Sequence, residues 1–272
     1  MQANHSKEAP IGVFDSGIGG LTVAHALLTQ LPNERLIYFG DTAHMPYGDK
    51  SAAAIQAYSI KIAHMLLQQE CKMILIACNT ASAAAYELVK EYVGSKALVM
   101  NVIDPIVRHL RDHYAGKSIG LIGTRQTVNS HIYKKKIDEL NADIKLASHA
   151  TNLLAQAIEE FGPHPIIDHL LKEYLSHDKL KDIDGLVLAC THYPVITQQI
   201  AQFYAQKIDI IDASLAVAQA VKNQLQQHDL LNETLGMKER RFYLSDYTAS
   251  FAENAKLFFS EPLVLESYPL WD

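Results

Sequence analysis

Short, uninterrupted apolar runs recur along this 272-residue chain, separated by longer amphipathic stretches. Residues 11–14, 36–39, 73–77 and 98–102 are such runs, and helix-periodic segments cover 21–31, 52–69 and 81–92. A strand with one wet face alternates apolar and polar residues; these runs do not. Strands buried on both faces read this way, which predicts parallel β-sheet covered by helices on each side. The rhythm resumes with strands over 118–122, 144–147, 186–188 and 208–211. Helices are predicted over 128–140, 153–160, 166–175 and 216–227. A last strand at 241–244 and a helix over 248–259 complete the expected α/β chain.

The second half of that rhythm repeats the first. Ile11-Gly12-Val13-Phe14-Asp15-Ser16 resembles Ile119-Gly120-Leu121-Ile122-Gly123-Thr124. Ile74-Leu75-Ile76-Ala77-Cys78-Asn79-Thr80 resembles Leu186-Val187-Leu188-Ala189-Cys190-Thr191-His192. The two matches occur in the same order and at nearly the same spacing, so the chain reads as two related α/β halves.

The second match carries chemistry. In each copy a buried strand ends at Ala-Cys and polar residues follow. Open α/β sheets bind ligands at the carboxyl ends of their strands, and N–H groups at a following helix start favour a thiolate. Cys78 and Cys190 therefore stand where reactive thiols belong, and facing halves would set them on opposite sides of one cleft. Inverting a stereocentre by proton transfer needs that arrangement: a thiolate removes the proton from one face while a thiol delivers one to the other. A free thiol of pKa about 8.5 supplies either form with modest tuning. Three cysteines in a chain of this length are too few and too odd for a disulfide framework. The third, Cys71, has no comparable setting and reads as structural.

Two neighbours join the thiols. Asp15 ends the first strand before the turn Ser16-Gly17-Ile18-Gly19-Gly20, where it could take a proton from Cys78, orient an ammonium, or cap the next helix. His192 lies two residues after Cys190; on an extended chain both side chains share one side, where an imidazole polarises a thiol. Gly17 and Gly19 with Asp41 imitate a dinucleotide fingerprint, but its third glycine position holds Thr22. Zinc on Cys78, Cys190 and His192 lacks the usual local ligand spacing. No lysine lies within the cysteine motifs to anchor pyridoxal phosphate, and Lys50, near one motif, reads as a surface charge.

These motifs resemble the glutamate racemase family over most of the chain. The matching stretches are Phe14-Asp15-Ser16-Gly17-Ile18-Gly19-Gly20-Leu21-Thr22-Val23, Pro46-Tyr47-Gly48, Ala77-Cys78-Asn79-Thr80-Ala81-Ser82 and Ala189-Cys190-Thr191-His192-Tyr193-Pro194. The resemblance implies interconversion of L- and D-glutamate without a cofactor, supplying D-glutamate for peptidoglycan. It implies that Cys78 takes the α-proton of D-glutamate with help from Asp15, and Cys190 that of L-glutamate with help from His192. Ser16, Tyr47, Gly48, Asn79, Thr80 and Thr191, with Asp15 and His192, would hold the substrate; Thr124 joins them on a looser match. The implied fold is two pseudo-symmetric flavodoxin-like halves with mostly parallel sheets, residues 7–99 plus 210–272 and residues 100–209, and the active site between them. A homodimer is implied as well. The chain departs from the family at His44, where many relatives carry Arg, and around 150–159, where the usual proline-containing motif is absent. That second departure leaves the role of Glu159 open.

Three other readings keep the same residues. A racemase for aspartate, another amino acid or a hydantoin would share the two-thiol logic. A redox protein would join Cys78 and Cys190 reversibly. A binding module would merely bury them. The net charge of −6 offers no attraction to nucleic acid or an anionic membrane. The basic run Lys134-Lys135-Lys136 reads as a solvated helix face. No apolar stretch reaches membrane-spanning length, and residues 1–10 are polar, without a signal-peptide core. This stretch is expected to fray, and the protein to be cytoplasmic.

Overall fold

A computed structural model describes residues 6–235, 239–259 and 261–272. Most of the polar N-terminal stretch, residues 1–5, lies outside these. Two sheets carry the fold, and every strand pairing in them is parallel. The first contains β1 (Ile11–Asp15), β2 (Leu36–Gly40), β3 (Met73–Ile76), β4 (Leu98–Asn101), β9 (Arg240–Leu244) and β10 (Leu265–Ser267), in the order β10-β9-β2-β1-β3-β4. The second contains β5 (Ser118–Gly123), β6 (Lys145–Ala150), β7 (Gly185–Ala189) and β8 (Asp209–Ile211), in the order β6-β5-β7-β8. The repeated sequence is a repeated topology: β1 and β5 hold the same place, each beside the strand, β3 or β7, that leads to a cysteine.

The apolar runs inside the sheets are buried as their composition demands, while the edge strands β4, β6 and β8 are only partly buried. All residues of β1, β2, β3 and β7 are buried. Each Leu or Ile removed from water contributes about 1.5–3 kcal/mol. The helices α1 (Leu21–Gln30), α2 (Ala52–Gln68) and α3 (Asn79–Val93) cover the first sheet's strands, and their starts are chemically marked. Ser51 caps α2 by accepting the Ala54 N–H, and Cys78 caps α3 by accepting that of Ala81. Later helices do the same. Thr124 caps α5 (Arg125–Asn129) through the Thr127 N–H, and Asp212 caps α10 (Ala213–Gln227) through that of Ser214.

Four local expectations change. Residues 103–113, left unassigned above, form α4 (Ile103–His113). Pro105 sits in its first turn, where no helical N–H is missed, and Asn101 Oδ1 accepts the N–H groups of Ile103 and Asp104. The single helix over 128–140 is two, α5 and α6 (Ile132–Glu139), because His131 between them adopts a left-handed backbone at φ 54°. The C-terminal helix over 248–259 stops early. α11 (Ala249–Asn254) tightens into a 3-10 turn at Ala255–Leu257, which turns both Phe258 and Phe259 into the core. Finally, α9 (Thr197–Phe203) and β10 were absent from the sequence reading; both are too short for a periodic signal. The remaining helices, α7 (Leu154–Phe161) and α8 (Pro165–Leu175), lie close to their expected spans.

The basic run of α6 behaves as a solvated face. Lys134 and Lys135 pair with Asp138 and Glu139 one turn on, and Lys136 reaches Asp104 of α4. No helix among the described residues is long and apolar enough to cross a membrane.

Candidate active site

The strand ends converge on one cleft enclosing about 450 Å³ including its mouth. From the first sheet come Ser16 after β1, the 45–48 loop after β2, and Cys78, Asn79 and Thr80 after β3. From the second come Thr124 after β5, Ala155, Gln156 and Glu159 of α7, and Ala189, Cys190, Thr191 and His192 at the end of β7. Ser16 and Thr124, and Cys78 and Cys190, hold equivalent places in the sequence repeat. Hydrogen bonds also join the strand ends of the two sheets. Thr80 shares hydrogen bonds with Thr124 (2.9 Å) and Thr127 (3.3 Å), while Thr191 donates to Asp15 (3.4 Å).

The two thiols have different surroundings. Cys78 Sγ accepts the Ala81 N–H at 3.4 Å and donates to Ser16 Oγ at 3.7 Å. The helix-start N–H favours the thiolate, as expected, but it does not prevail. Burial, followed by the negative charge of Asp15, pushes the Cys78 thiol up to about 12 despite help from Ala81 and Ser16. Cys190 Sγ instead lies 3.7 Å from His192 Nδ1. On its other side the imidazole meets Glu159, with Nε2 2.8 Å from Oε2. Burial alone would lower the imidazole's pKa. The hydrogen bonds to Cys190 and Glu159 outweigh it and push His192 up to about 10. Cys190 thus has beside it the cation that a thiolate there requires.

His192 reaches Cys190 by a different route from the one expected. The chain is not extended there; His192 has helical angles of −80° and −29° and opens the 3-10 turn Tyr193–Ile196. A tight turn, not strand alternation, brings the ring back to the sulfur. The ring also packs against Gly19, where an added Cβ would stand 2.5 Å from two of its atoms, and edge-on to Phe258.

Asp15 is completely buried and does not line the cleft. Its Oδ2 accepts the N–H groups of Gly17 and Gly20, and burial holds its pKa above the usual carboxylate range. It meets Cys78 through charge, not by a direct hydrogen bond. Asp15 does not cap α1, whose N-cap is Gly20; it ties the turn before the helix and acts on Cys78 by its charge. An added Cβ at Gly20 would stand 2.5 Å from Asp15 Cβ, so the glycine turn lets the backbone wrap the carboxylate.

The expected substrate holders divide by what their polar atoms already do. Tyr47 gives its hydroxyl proton to Asp41 at 2.6 Å, so that proton is already spent. Gly48 lies where a Cβ would press Thr124 at 2.9 Å. Asn79 accepts the Tyr133 hydroxyl on Oδ1 at 2.6 Å, which leaves its amide nitrogen to donate. Ser16, Thr80, Thr124 and Thr191 add hydroxyls. Asp41, the acid of the broken dinucleotide fingerprint, is occupied by Tyr47, His44, Ser245 and Trp271.

Several site residues escaped the sequence reading. Gln156 and Ala155 share a helix face with Glu159, the i, i+3 and i+4 spacing that could have revealed them. Tyr133 and Trp271 act through Asn79 and Asp41 across 54 and 230 residues, and no local pattern signals that. Cys71 lies buried outside the cleft beside Gly12, with its thiol pushed up to about 12 by burial, as suits a structural cysteine.

Comparison with known proteins places the chain in a class of isomerases. A model of the family described as Asp/Glu/hydantoin racemase matches residues 11–221. The chain belongs to that family. It is 39% identical to the glutamate racemase of Syntrophus aciditrophicus, over 97% of each chain. It is 40% identical to that of Chlorobaculum parvum, over 94% of each. Its fold is similar to the crystal structure of the Francisella tularensis glutamate racemase in complex with D-glutamate. The TM-score is 0.89 and the identity 40%, covering 97% of this chain and 99% of that one.

Proposed function

We propose that the chain interconverts L- and D-glutamate by cofactor-independent proton transfer between Cys78 and Cys190. One observation carries the reading: two thiols at equivalent strand ends of two related halves line one cleft. The names and identities of the relatives, one of them solved with D-glutamate, support glutamate as the substrate.

In this reading the surroundings favour a direction for each step. With Cys78 held as a thiol and Cys190 beside a protonated His192, the resting site suits L-glutamate. Cys190 as thiolate removes the α-proton, and Cys78 delivers its own to the opposite face. The return reaction runs from the complementary protonation state. Asp15 acts on Cys78 by its charge, and Glu159 acts on Cys190 by holding His192. The Asn79 amide, the hydroxyls of Ser16, Thr80 and Thr124, and the helix start at Asn79 receive the carboxylates. Tyr47 and Gly48 shape the opposing wall. The enantiomers have equal free energies, so kcat/KM must be equal in both directions, whatever asymmetry the thiols have.

In this reading the halves 7–99 plus 210–272 and 100–209 are the bodies that enclose the substrate. The enzyme works in the cytoplasm and supplies D-glutamate to peptidoglycan synthesis. The homodimer drawn from the family resemblance predicts twice the chain mass in light scattering.

The deciding measurement is deuterium incorporation at Cα from D2O, with D-glutamate and no added cofactor. Label should appear in L-glutamate. Cys78→Ala and Cys190→Ala should each slow racemisation by about 10²–10⁴-fold, while Cys71→Ala changes it little. Exchange with aspartate but not glutamate would keep the mechanism and replace the substrate. No exchange with any amino acid would end the racemase reading.

A further inference from the structure

Three buried side-chain atoms among the described residues lack a hydrogen-bond partner: Ser59 Oγ, Gln156 Oε1 and Gln199 Oε1. Of these residues, Gln156 lines the cleft. A desolvated amide oxygen without a donor is unfavourable, and native folds rarely leave one so unless something else supplies the donor.

The polar inventory of the cleft indicates which donor that is. Asn79 has its oxygen engaged by Tyr133 and offers an amide nitrogen. Ser16, Thr80 and Thr124 offer hydroxyls. The carboxylates are partly committed. Glu159 binds His192, and Asp15 lies behind the wall, taken up by Gly17, Gly20 and Thr191. The cleft thus offers donors to a substrate's two carboxylates, and Gln156 Oε1 is an acceptor there that has no donor of its own.

We infer that Gln156 is a substrate-binding residue whose Oε1 accepts a hydrogen bond from the substrate's α-ammonium, an assignment that rests on the amino-acid racemase reading of this cleft. A neutral acceptor has a chemical advantage over a carboxylate here. It orients the ammonium without cancelling its charge, and that charge acidifies the adjacent Cα–H. Placement on α7 one turn before Glu159 also couples the grip on the ammonium to the helix that holds His192.

The test compares binding of two ligands by calorimetry. One is glutamate at its racemic equilibrium, so that no net reaction occurs. The other is glutarate, which keeps both carboxylates and lacks the ammonium. Gln156→Met should weaken glutamate about tenfold or more while leaving glutarate within about twofold. Gln156→Glu keeps an acceptor, so it should retain glutamate affinity but lower kcat. Equal weakening of both ligands would mean that Gln156 serves a carboxylate, and no weakening of either would mean that it serves neither. Either result overturns the assignment, as does a Glu variant that binds glutamate as poorly as the Met variant. Failure of the unsubstituted enzyme to bind glutamate would instead overturn the substrate reading itself.

Discussion

The two cysteines share a sequence context, and their neighbours make them different. Cys78 faces a buried negative charge, and Cys190 faces an imidazole held by a carboxylate. His192, pushed up to about 10, is protonated at neutral pH and loses its proton as pH rises through that value. The alkaline limb of kcat should therefore fall near pH 10, below any limb from Cys78, whose thiol persists to about 12. Glu159→Gln removes the negative partner of the imidazolium, so that limb should move to lower pH. A pH profile of kcat for both proteins checks this, and a limb that does not move would remove Glu159 from the account.

At the scale of elements, the site depends on close approach between turns. The β1–α1 turn passes so near His192 that Gly19→Ala puts a methyl 2.5 Å from its ring. The ring must shift away from Cys190, so kcat should fall tenfold or more, a barrier change of about 1.4 kcal/mol, with the circular dichroism spectrum unchanged. The C-terminal segment supports the opposite wall. Trp271 donates to Asp41 Oδ1 at 2.7 Å, and Asp41 Oδ2 fixes the Tyr47 hydroxyl. His44 stacks on Tyr58 and lies edge-on to Trp271, completing the cluster at a position that departs from the family pattern. Trp271→Ala should loosen the 45–48 loop and raise KM more than it lowers kcat. Steady-state kinetics in both directions would reveal the reverse pattern if Trp271 were only a packing residue.

Across the whole molecule, one buried charge ties distant segments together. Lys72 Nζ bonds to the Lys7 carbonyl, Glu34 Oε2 at 2.6 Å and the Leu230 carbonyl at 2.9 Å, using all three ammonium donors. Glu34 also accepts the Asn232 N–H, so the pair joins the N-terminal stretch, the α1–β2 turn and the chain's return to the first sheet. Breaking a buried pair leaves a charge uncompensated. Lys72→Met should destabilise the fold by about 3–5 kcal/mol, read from the denaturant midpoint. A loss below about 1 kcal/mol, the scale of an exposed pair, would show that water already reaches it.

The α/β class, the parallel sheets, the repeat and the cysteine-bearing strand ends were legible in the sequence alone. Each is written locally: strands buried on both faces must be continuously apolar, and a duplicated segment repeats its side chains. So were Ser16 and Thr124, which the repeat pairs and the cleft unites. The split between α5 and α6 was not legible, because it turns on one backbone angle at His131. Nor was α4, whose start is stabilised by Asn101 while its proline reads as an interruption. Only the tertiary structure decided that Asp15 sits behind the wall, that Glu159 holds His192 and that Gln156 lines the cleft. Those outcomes depend on which charges are shut away from water together. Distance and burial across the fold determine that, and neither is encoded by neighbours along the chain.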